Sequence, residues 1–217
     1  MAAGRSRTRI LETAGELMLR HGYAATSIDD ICSRARVTKG SFYHFFKTKE
    51  EVALAVLNGF YERGRARLAD GAYLEIADPH RRLRGFFDHL EMIGPELWRD
   101  GCLMGNFACE FAESSQTIRR RVAAMFTELV STLSPIFKPI ARDHQEADEL
   151  AMQTLIAIEG AVIMARAYDD PPRIAAGLRC LRGLIEARIT KSLTIRKNRD
   201  RQRTASPRKS IKEGSHV

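Results

Sequence analysis

Five polar side chains between residues 38 and 44 form the group in this sequence that is best suited to chemistry. A helix through TKGSFYH would carry them on one side: Thr38, Lys39, Ser41, Tyr43 and His44. Their hydroxyl, ammonium, phenol and imidazole groups are of the kinds that meet phosphate oxygens and base edges in DNA complexes. The pattern predicts a DNA-contacting helix, and the alternative is an ordinary helical hairpin with a solvated polar face.

A second short helix must lie just before this one to position it. Ile28 and Ile31 are three residues apart and Ala35 follows four later, which gives that segment one apolar face. Thr26 or Ser27 is placed to cap its first turn. Two short helices joined by a tight turn make a helix-turn-helix, whose second helix enters the major groove of DNA.

Apolar residues in the second helix predict how it packs. Phe42 with Phe45 or Phe46 would form its buried face and leave the polar side chains outside. Thr48 and Glu51 then match a capping box, which starts a further helix that we expect to run to about residue 69.

The rest of the chain is predicted to be a helical bundle. Apolar residues recur at helical spacing in segments bounded by Pro, Gly, Ser and Asp, at about 78–98, 106–113, 115–135, 144–168 and 173–192. No alternating run of apolar and polar residues indicates a strand. The predicted fold class is all-α, with a three-helix helix-turn-helix DNA-binding domain over residues 1–49 and a carboxy-terminal helical bundle over 50–190.

Charge is distributed unevenly along the 217 residues. The formal charge is +5 over residues 1–49, −4 over 50–190 and +7 over 191–217. A basic amino-terminal segment (1–49) followed by a weakly acidic one (50–190) suits a protein that contacts DNA at one end. The last segment has few large apolar residues, so we expect a disordered tail that is either a DNA-binding arm or a solvated terminus.

Several classes of protein are disfavoured by what the sequence does not contain. Four cysteines without a regular framework, and no apolar segment after Met1, indicate a reducing cytoplasm. No apolar run approaches the roughly 20 residues of a membrane span. The six histidines are scattered, and neither a phosphate loop nor a nucleophile elbow occurs. We therefore predict no enzyme activity, no metal site and no cofactor.

Cys102 is the second candidate for chemistry, in the segment GCLMGNFACE. It lies at the start of a helical segment, where backbone N–H groups and the helix dipole stabilise a thiolate. Gly101 and Gly105 would leave its sulfur approachable. Cys102 is either a reactive thiol or a small residue in a helix joint, whereas Cys109 and Cys180 are expected in the core.

Residues 9–51 resemble the DNA-binding domain of TetR-family transcriptional regulators. The likeness rests on ILETA at 10–14, GY at 22–23, TSI at 26–28, VTKGSFYHFF at 37–46 and KE at 49–50. It implies DNA-facing positions for these residues: Thr26, Ser27, Thr38, Lys39, Ser41, Tyr43, His44 and Lys49. Arg36 stands where the family usually has glycine in the turn. Because a left-handed backbone at a non-glycine residue costs about 1 kcal/mol, we expect the turn to be kept.

The resemblance also implies that residues 50–190 bind an effector and form a homodimer. In TetR-like regulators the last two helices pack against their copies in a second subunit. An apolar stripe at helical spacing is the matching feature of this chain: Leu178, Leu181, Leu184, Ile185 and Ile189. From the residues alone, such a stripe is either internal core or a dimer interface.

The segment around Cys102 is similar to that of a subset of TetR regulators, resembling NemR and AcuR, that carry Gly-Cys-Leu there. In the NemR-like members the cysteine senses electrophiles or oxidants, and the lysine that partners it aligns with Arg166 here. The candidate effector-site residues, each either in a pocket or in plain core, are Phe86, His89, Leu90, Trp98, Cys102, Met104, Phe107, Phe111, Met125 and Arg166.

These observations predict a ligand- or electrophile-responsive DNA-binding transcriptional regulator, a repressor that an effector releases from double-stranded operator DNA. The alternative is an architectural protein that binds DNA through charge and needs no effector. An internal cavity in the carboxy-terminal domain would favour the regulator, because the architectural protein has no use for one.

Overall fold

The computed structural model describes residues 2–205, with side chains for residues 4–188, and over that range the protein is all-α, as predicted. The helices are α1 (Ala2–His21), α2 (Ile28–Ala35), α3 (Lys39–Phe45), α4 (Lys49–Ala69), α5 (Pro79–Leu97), α6 (Leu103–Glu110), α7 (Gln116–Phe137), α8 (His144–Ala167) and α9 (Pro172–Ala205), and a short 3₁₀ turn (Ala72–Glu75) precedes α5.

Side-chain caps set the boundaries of α2 and α3, the two helices predicted to form the helix-turn-helix. The Ser27 hydroxyl accepts from the Asp30 N–H while the Asp30 carboxylate accepts from the Ser27 N–H, which makes a complete capping box at α2. Thr38 caps α3 by accepting from the Ser41 N–H. Arg36 ends α2 with a left-handed backbone at φ 52°, so arginine does replace glycine in the turn.

Helices α1 to α3 form a small amino-terminal head that packs against the first half of α4. Its apolar centre contains fully buried side chains from each of these helices, among them Ile10, Ile31, Phe42 and Val52. Phe42 and Phe46 form the buried face of α3, as predicted. The head is therefore fixed to α4, which continues into the body.

The body is a bundle in which α8 packs between α7 and α9, and α5 packs on α9. Aromatic rings fill its centre, where Phe86, Phe87 and Phe137 contact one another at edge-to-face angles. Helix α8 is apolar and long enough to span a membrane by length and composition, with a mean hydropathy of 1.4 in its most apolar window. That is more apolar than we expected from the sequence, and its packing between two neighbours is that of a core helix.

Two helices differ from the sequence prediction. Helix α6 runs over Leu103–Glu110 instead of about 106–113. Helix α9 continues to Ala205, so the first part of the predicted disordered tail is helical. A helix that is already packed can extend through Lys and Arg residues, which are good helix formers. The rest of the predicted tail, residues 206–217, lies outside the described residues.

Candidate DNA-binding surface and effector cavity

Most of the polar side chains predicted to meet DNA lie on the outer face of the recognition helix α3. Thr38, Lys39 and His44 are exposed, Tyr43 is 44% exposed, and Ser41 is half-buried. The Tyr43 ring leans edge-on against the buried Phe42 ring, with the two centroids 5.4 Å apart. This contact directs the phenol away from the core, where its hydroxyl is available to a phosphate or base edge.

Lys39 is exposed but already paired. Its Nζ lies 2.7 Å from Oδ1 of Asp29 on α2, and this carboxylate raises the pKa of Lys39 through a hydrogen bond and its charge. The pair links the two helices of the motif. Lys39 can therefore contact a phosphate only by sharing its ammonium group with Asp29 or exchanging partners.

Two other predicted DNA-facing residues turn inward. Thr26 is only 2% exposed, and its hydroxyl donates to the carbonyl of Gly22 at 2.7 Å. The Lys49 ammonium donates to the carbonyls of Tyr23 and Thr26 at 3.0 and 2.9 Å and lies 4.0 Å from the centre of the Tyr23 ring. Burial lowers the pKa of Lys49, and the nearby Glu110 carboxylate partly offsets this. Both residues hold the turn between α1 and α2 in place.

Lys47 is a basic residue on this surface that the predicted DNA-facing set omitted. It is exposed directly after α3, and its Nζ donates to the Tyr43 carbonyl at 3.2 Å. Its ammonium group therefore lies at the end of the recognition helix, beside Tyr43 and His44. A lysine immediately after a predicted recognition helix was the signal available in the sequence.

The body contains a cavity of about 240 Å³ between α4, α5, α6, α7 and α8. Five predicted effector-site residues line it: Phe86, Leu90, Trp98, Cys102 and Met104. Helix α4 contributes residues that the sequence analysis did not single out, including Phe60, Tyr61 and Gly64. Because α4 starts directly after the recognition helix, a ligand in the cavity would contact the same helix that carries the head.

The other predicted effector-site residues serve other contacts. His89 donates from Nε2 to the Arg67 carbonyl at 2.9 Å, and Met125 is fully buried in the core. Phe107 and Phe111 pack on the ring of Tyr23, which joins the body to the head. Since phenylalanine and methionine also occur in the cavity wall, residue type alone could not separate Phe107, Phe111 and Met125 from the residues that line it.

Cys102 lies at the helix start, as predicted, but the expected thiolate does not follow. The residue is buried, and burial raises the pKa of its thiol well above the ordinary value. The carboxylate of Glu159 beside it adds to this rise, and the N–H groups of Gly105 and Met104 only partly offset it. At neutral pH Cys102 is a protonated thiol that donates to Glu159.

The two glycines around Cys102 make room for side chains of α8. A Cβ on Gly105 would lie 2.5 Å from Oε2 of Glu159, and one on Gly101 would lie 2.8 Å from a guanidinium nitrogen of Arg166. Gly101 also has a φ of +106°, which favours glycine. The glycines therefore let α6 approach α8 closely, and they do not expose the sulfur.

Arg166 belongs to the junction between head and body instead of to the cavity. Its guanidinium donates to the carbonyls of Leu19, Arg20 and Asp100 at 2.9–3.2 Å. Asn106 donates to the Leu19 carbonyl as well, at 3.3 Å. The bonds to Leu19 and Arg20 satisfy carbonyls in the last turn of α1, which have no partner within the helix, and the bond to Asp100 ties the same guanidinium to the segment before α6.

Helix α6 ends on the head. A single oxygen of Glu110 accepts from the N–H groups of Tyr23 and Ala24 at 2.7 and 3.2 Å. A Cβ on Gly22 would lie 2.3 Å from the other carboxylate oxygen, and Gly22 has a φ of +87°. The α1–α2 turn is therefore shaped to receive this carboxylate.

Comparison with known proteins identifies the family. Residues 10–56 match the family model described as bacterial regulatory proteins of the tetR family, and residues 79–175 match the carboxy-terminal domain of LmrA/YxaF-like transcriptional regulators. The transcriptional regulator AcuR of Cereibacter sphaeroides is 31% identical over 70% of this chain and 72% of its own length. This chain belongs to the TetR family. It is accordingly a DNA-binding transcriptional regulator, as the resemblance predicted.

Other relatives of this TetR-family regulator agree. The transcriptional repressor DhaR of Mycobacterium sp. (strain GP1) is 31% identical over 60% of the chain and 64% of its own length. The repressor NemR of Escherichia coli is 25% identical over 64% of the chain and 70% of its own length. A crystal structure of a TetR regulator from Chloroflexus aurantiacus superposes with a TM-score of 0.73 and 28% identity, over 85% of this chain and 96% of that one.

The predicted dimer-interface residues of this TetR-family regulator lie mainly inside the subunit. Leu178 and Ile185 are buried against the core, Leu181 is half-buried, and the side chain of Ile189 lies outside the described residues. The opposite faces of α8 and α9 carry the exposed apolar residues: Met152, Ile156, Ile163 and Leu184. The predicted stripe therefore divides: Leu178 and Ile185 belong to the core, whereas Leu184 is exposed together with the apolar residues of α8.

Proposed function

We propose that this protein is a repressor that leaves its operator when a small molecule enters the cavity and moves α6. The observation that carries the proposal is the position of α6 between two sites. Cys102 and Met104 at its start line the cavity, and Glu110 at its end accepts both N–H groups of the α1–α2 turn. A displacement of a helix this short changes both ends together.

A second connection runs along α4. Phe60, Gly64 and Leu68 line the cavity, and the same helix begins at Lys49, after a connection of three residues from the recognition helix. Ser115, which caps α7, donates to the Glu50 carboxylate at 2.6 Å and ties the first turn of α4 to the body. An effector that moves both α6 and α4 shifts the head relative to the rest of the subunit.

We propose that two copies act together, in the cytoplasm, through the exposed faces of α8 and α9. Ile163 and Leu184 are 64% and 67% exposed, and a Cβ on Gly160 or Gly183 would meet no atom within 4 Å. Apolar side chains and glycines on one open surface suit close packing of helices against a second copy. Two heads held by such an interface would read two operator half-sites one helical turn apart.

The cavity favours this reading over an architectural DNA-binding protein, which has no use for an apolar space of about 240 Å³. The test starts with an operator chosen by selection from random DNA. Trp98 is the only tryptophan in the chain and lines the cavity, so its fluorescence reports occupancy. Compounds that release the operator should change this fluorescence over the same concentration range. Release without any change at Trp98 would place the effector elsewhere and contradict the proposal.

A further inference from the structure

The wall of the cavity is aromatic on several sides. Phe60 and Tyr61 from α4, Phe86 and Trp98 from α5 and its end, and Phe126 from α7 all line it. Aromatic faces carry partial negative charge and attract cations within about 6 Å of the ring centre. The volume of about 240 Å³ lies below the roughly 300–1,000 Å³ of drug-sized pockets, which selects a small ligand of roughly a dozen non-hydrogen atoms.

One carboxylate interrupts this apolar wall. Among the described residues that line the cavity, Glu159 is the one acidic side chain. It projects from the middle of α8 against Gly105 of α6, and burial raises its pKa. Within the described part of the chain it forms no ion pair with Lys or Arg, and the Cys102 thiol is a weak donor to it. A half-buried carboxylate without an ionic partner gains free energy from pairing with a cation.

The basic residues that line the cavity are not placed to bind an anion next to Glu159. Arg63 and Arg65 approach it from α4, but both are exposed to solvent. The guanidinium of Arg65 lies 3.7 Å from the Glu62 carboxylate. An anionic ligand could therefore pair only with arginines that are exposed to water, and the carboxylate of Glu159 would repel it inside the cavity.

We infer that the cavity takes a small aromatic or aliphatic amine whose ammonium group pairs with Glu159 while its apolar part lies against the aromatic wall. This inference deepens the proposed function, since it names the chemical class of the effector for the same cavity. Glu159 thereby determines ligand specificity, and Cys102 supports its position next to α6. An ammonium group bound there would lie beside Gly105, at the start of the helix that ends on the head.

Three probes of nearly equal shape test the charge preference: 4-phenylbutylamine, 4-phenylbutan-1-ol and 4-phenylbutyrate. Each is titrated into the full-length protein while Trp98 fluorescence is followed. Because a hydrogen bond to a charged group is roughly twice as strong as one between neutral groups, the amine should bind on the order of tenfold more tightly than the alcohol, and the carboxylate should bind most weakly. Equal binding of the amine and the alcohol, tighter binding of the carboxylate, or no binding of the amine would overturn the inference.

The variant Glu159→Gln tests whether Glu159 causes the preference for the amine. It should lower amine affinity on the order of tenfold and leave the alcohol nearly unchanged, because glutamine keeps the shape but not the charge. Glu149→Gln removes an exposed carboxylate from the same helix and should change neither. An amine preference that survives in Glu159→Gln would overturn the assignment to this residue. If the amine shows the predicted preference but never releases the operator, the ligand class stands and the proposed function fails.

Discussion

The contact between Glu110 and the α1–α2 turn can be removed without disturbing the cavity. In Glu110→Ala the N–H groups of Tyr23 and Ala24 lose the oxygen that accepts them at 2.7 and 3.2 Å. The substitution leaves Cys102 and Met104, at the other end of α6, in contact with the cavity. We therefore expect effector affinity to stay the same while the response of the head changes.

The size of the effect follows from the two hydrogen bonds. A hydrogen bond to a charged group contributes about 1.5–3 kcal/mol, and the exposed position of Glu110 reduces this. Taken together, the two bonds are worth about 1–2 kcal/mol, which is roughly a 5- to 30-fold change in an equilibrium constant. This value is the upper limit of what the contact can contribute to the coupling free energy between effector binding and DNA binding.

The assay is fluorescence anisotropy of labelled operator DNA, titrated with and without saturating effector. The ratio of the two dissociation constants should fall by up to about 5- to 30-fold in Glu110→Ala. Glu113→Ala, at an exposed position just after α6, is the matched control and should keep the wild-type ratio. Amide hydrogen exchange should show faster exchange at Tyr23 and Ala24 in Glu110→Ala alone. Faster exchange with an unchanged ratio would refute coupling through α6 and leave α4 as the only route.

Three further predictions test the DNA surface, the thiols and the dimer. Tyr43→Ala and Lys47→Ala should weaken operator binding, and Lys47→Ala should also reduce the slope of log affinity against log salt concentration by about one unit. Lys49→Met should lower thermal stability and keep this slope, because Lys49 contacts backbone carbonyls. A slope that falls equally in both lysine variants would contradict this role of Lys49. Iodoacetamide at neutral pH should modify exposed Cys109 well before Cys102. Because only the thiolate reacts and burial raises the pKa of the Cys102 thiol, modification of Cys102 should become appreciable only at higher pH. Mass spectrometry that shows Cys102 modified first would refute this. Leu184→Arg should give folded monomers in sedimentation, whereas Leu178→Arg should unfold the subunit by burying an unpaired charge. A folded dimer in Leu184→Arg would exclude the exposed face of α9 as the dimer interface.

The helix-turn-helix could be predicted because its determinants are local. Ser27, Thr38 and Phe42 act through residues within four positions of themselves, and these spacings are visible in the sequence. Lys49 could not be assigned in this way, because the carbonyls that it contacts, those of Tyr23 and Thr26, lie more than 20 residues earlier in the chain. The Thr26 hydroxyl does bond locally, to the carbonyl of Gly22, but its residue type does not distinguish this bond from a phosphate contact. A threonine and a lysine in such a motif look the same whether they meet a phosphate or a carbonyl.

The cavity was only partly predictable for a similar reason. Phe86 and Phe107 are both fully buried aromatic residues, yet Phe86 lines the cavity and Phe107 packs on the head. Glu159 gave no local signal, since a single acid in an apolar helix usually faces water. It became a candidate only when the structure placed it against Gly105 on a neighbouring helix.

Cys102 shows how a correct local rule can give the wrong chemistry. Its position at the start of α6 was predicted, and a helix terminus stabilises a negative charge by roughly 0.3–1 kcal/mol at exposed sites. Burial disfavours the charged form of a titratable group, and it raises the pKa of the Cys102 thiol well above its ordinary value. Burial therefore outweighs the helix terminus, and the carboxylate of Glu159 acts in the same direction. For the thiol to react, α6 would first have to move away from α8, so any electrophile sensing here would depend on the same displacement of α6 that we propose for release of the operator.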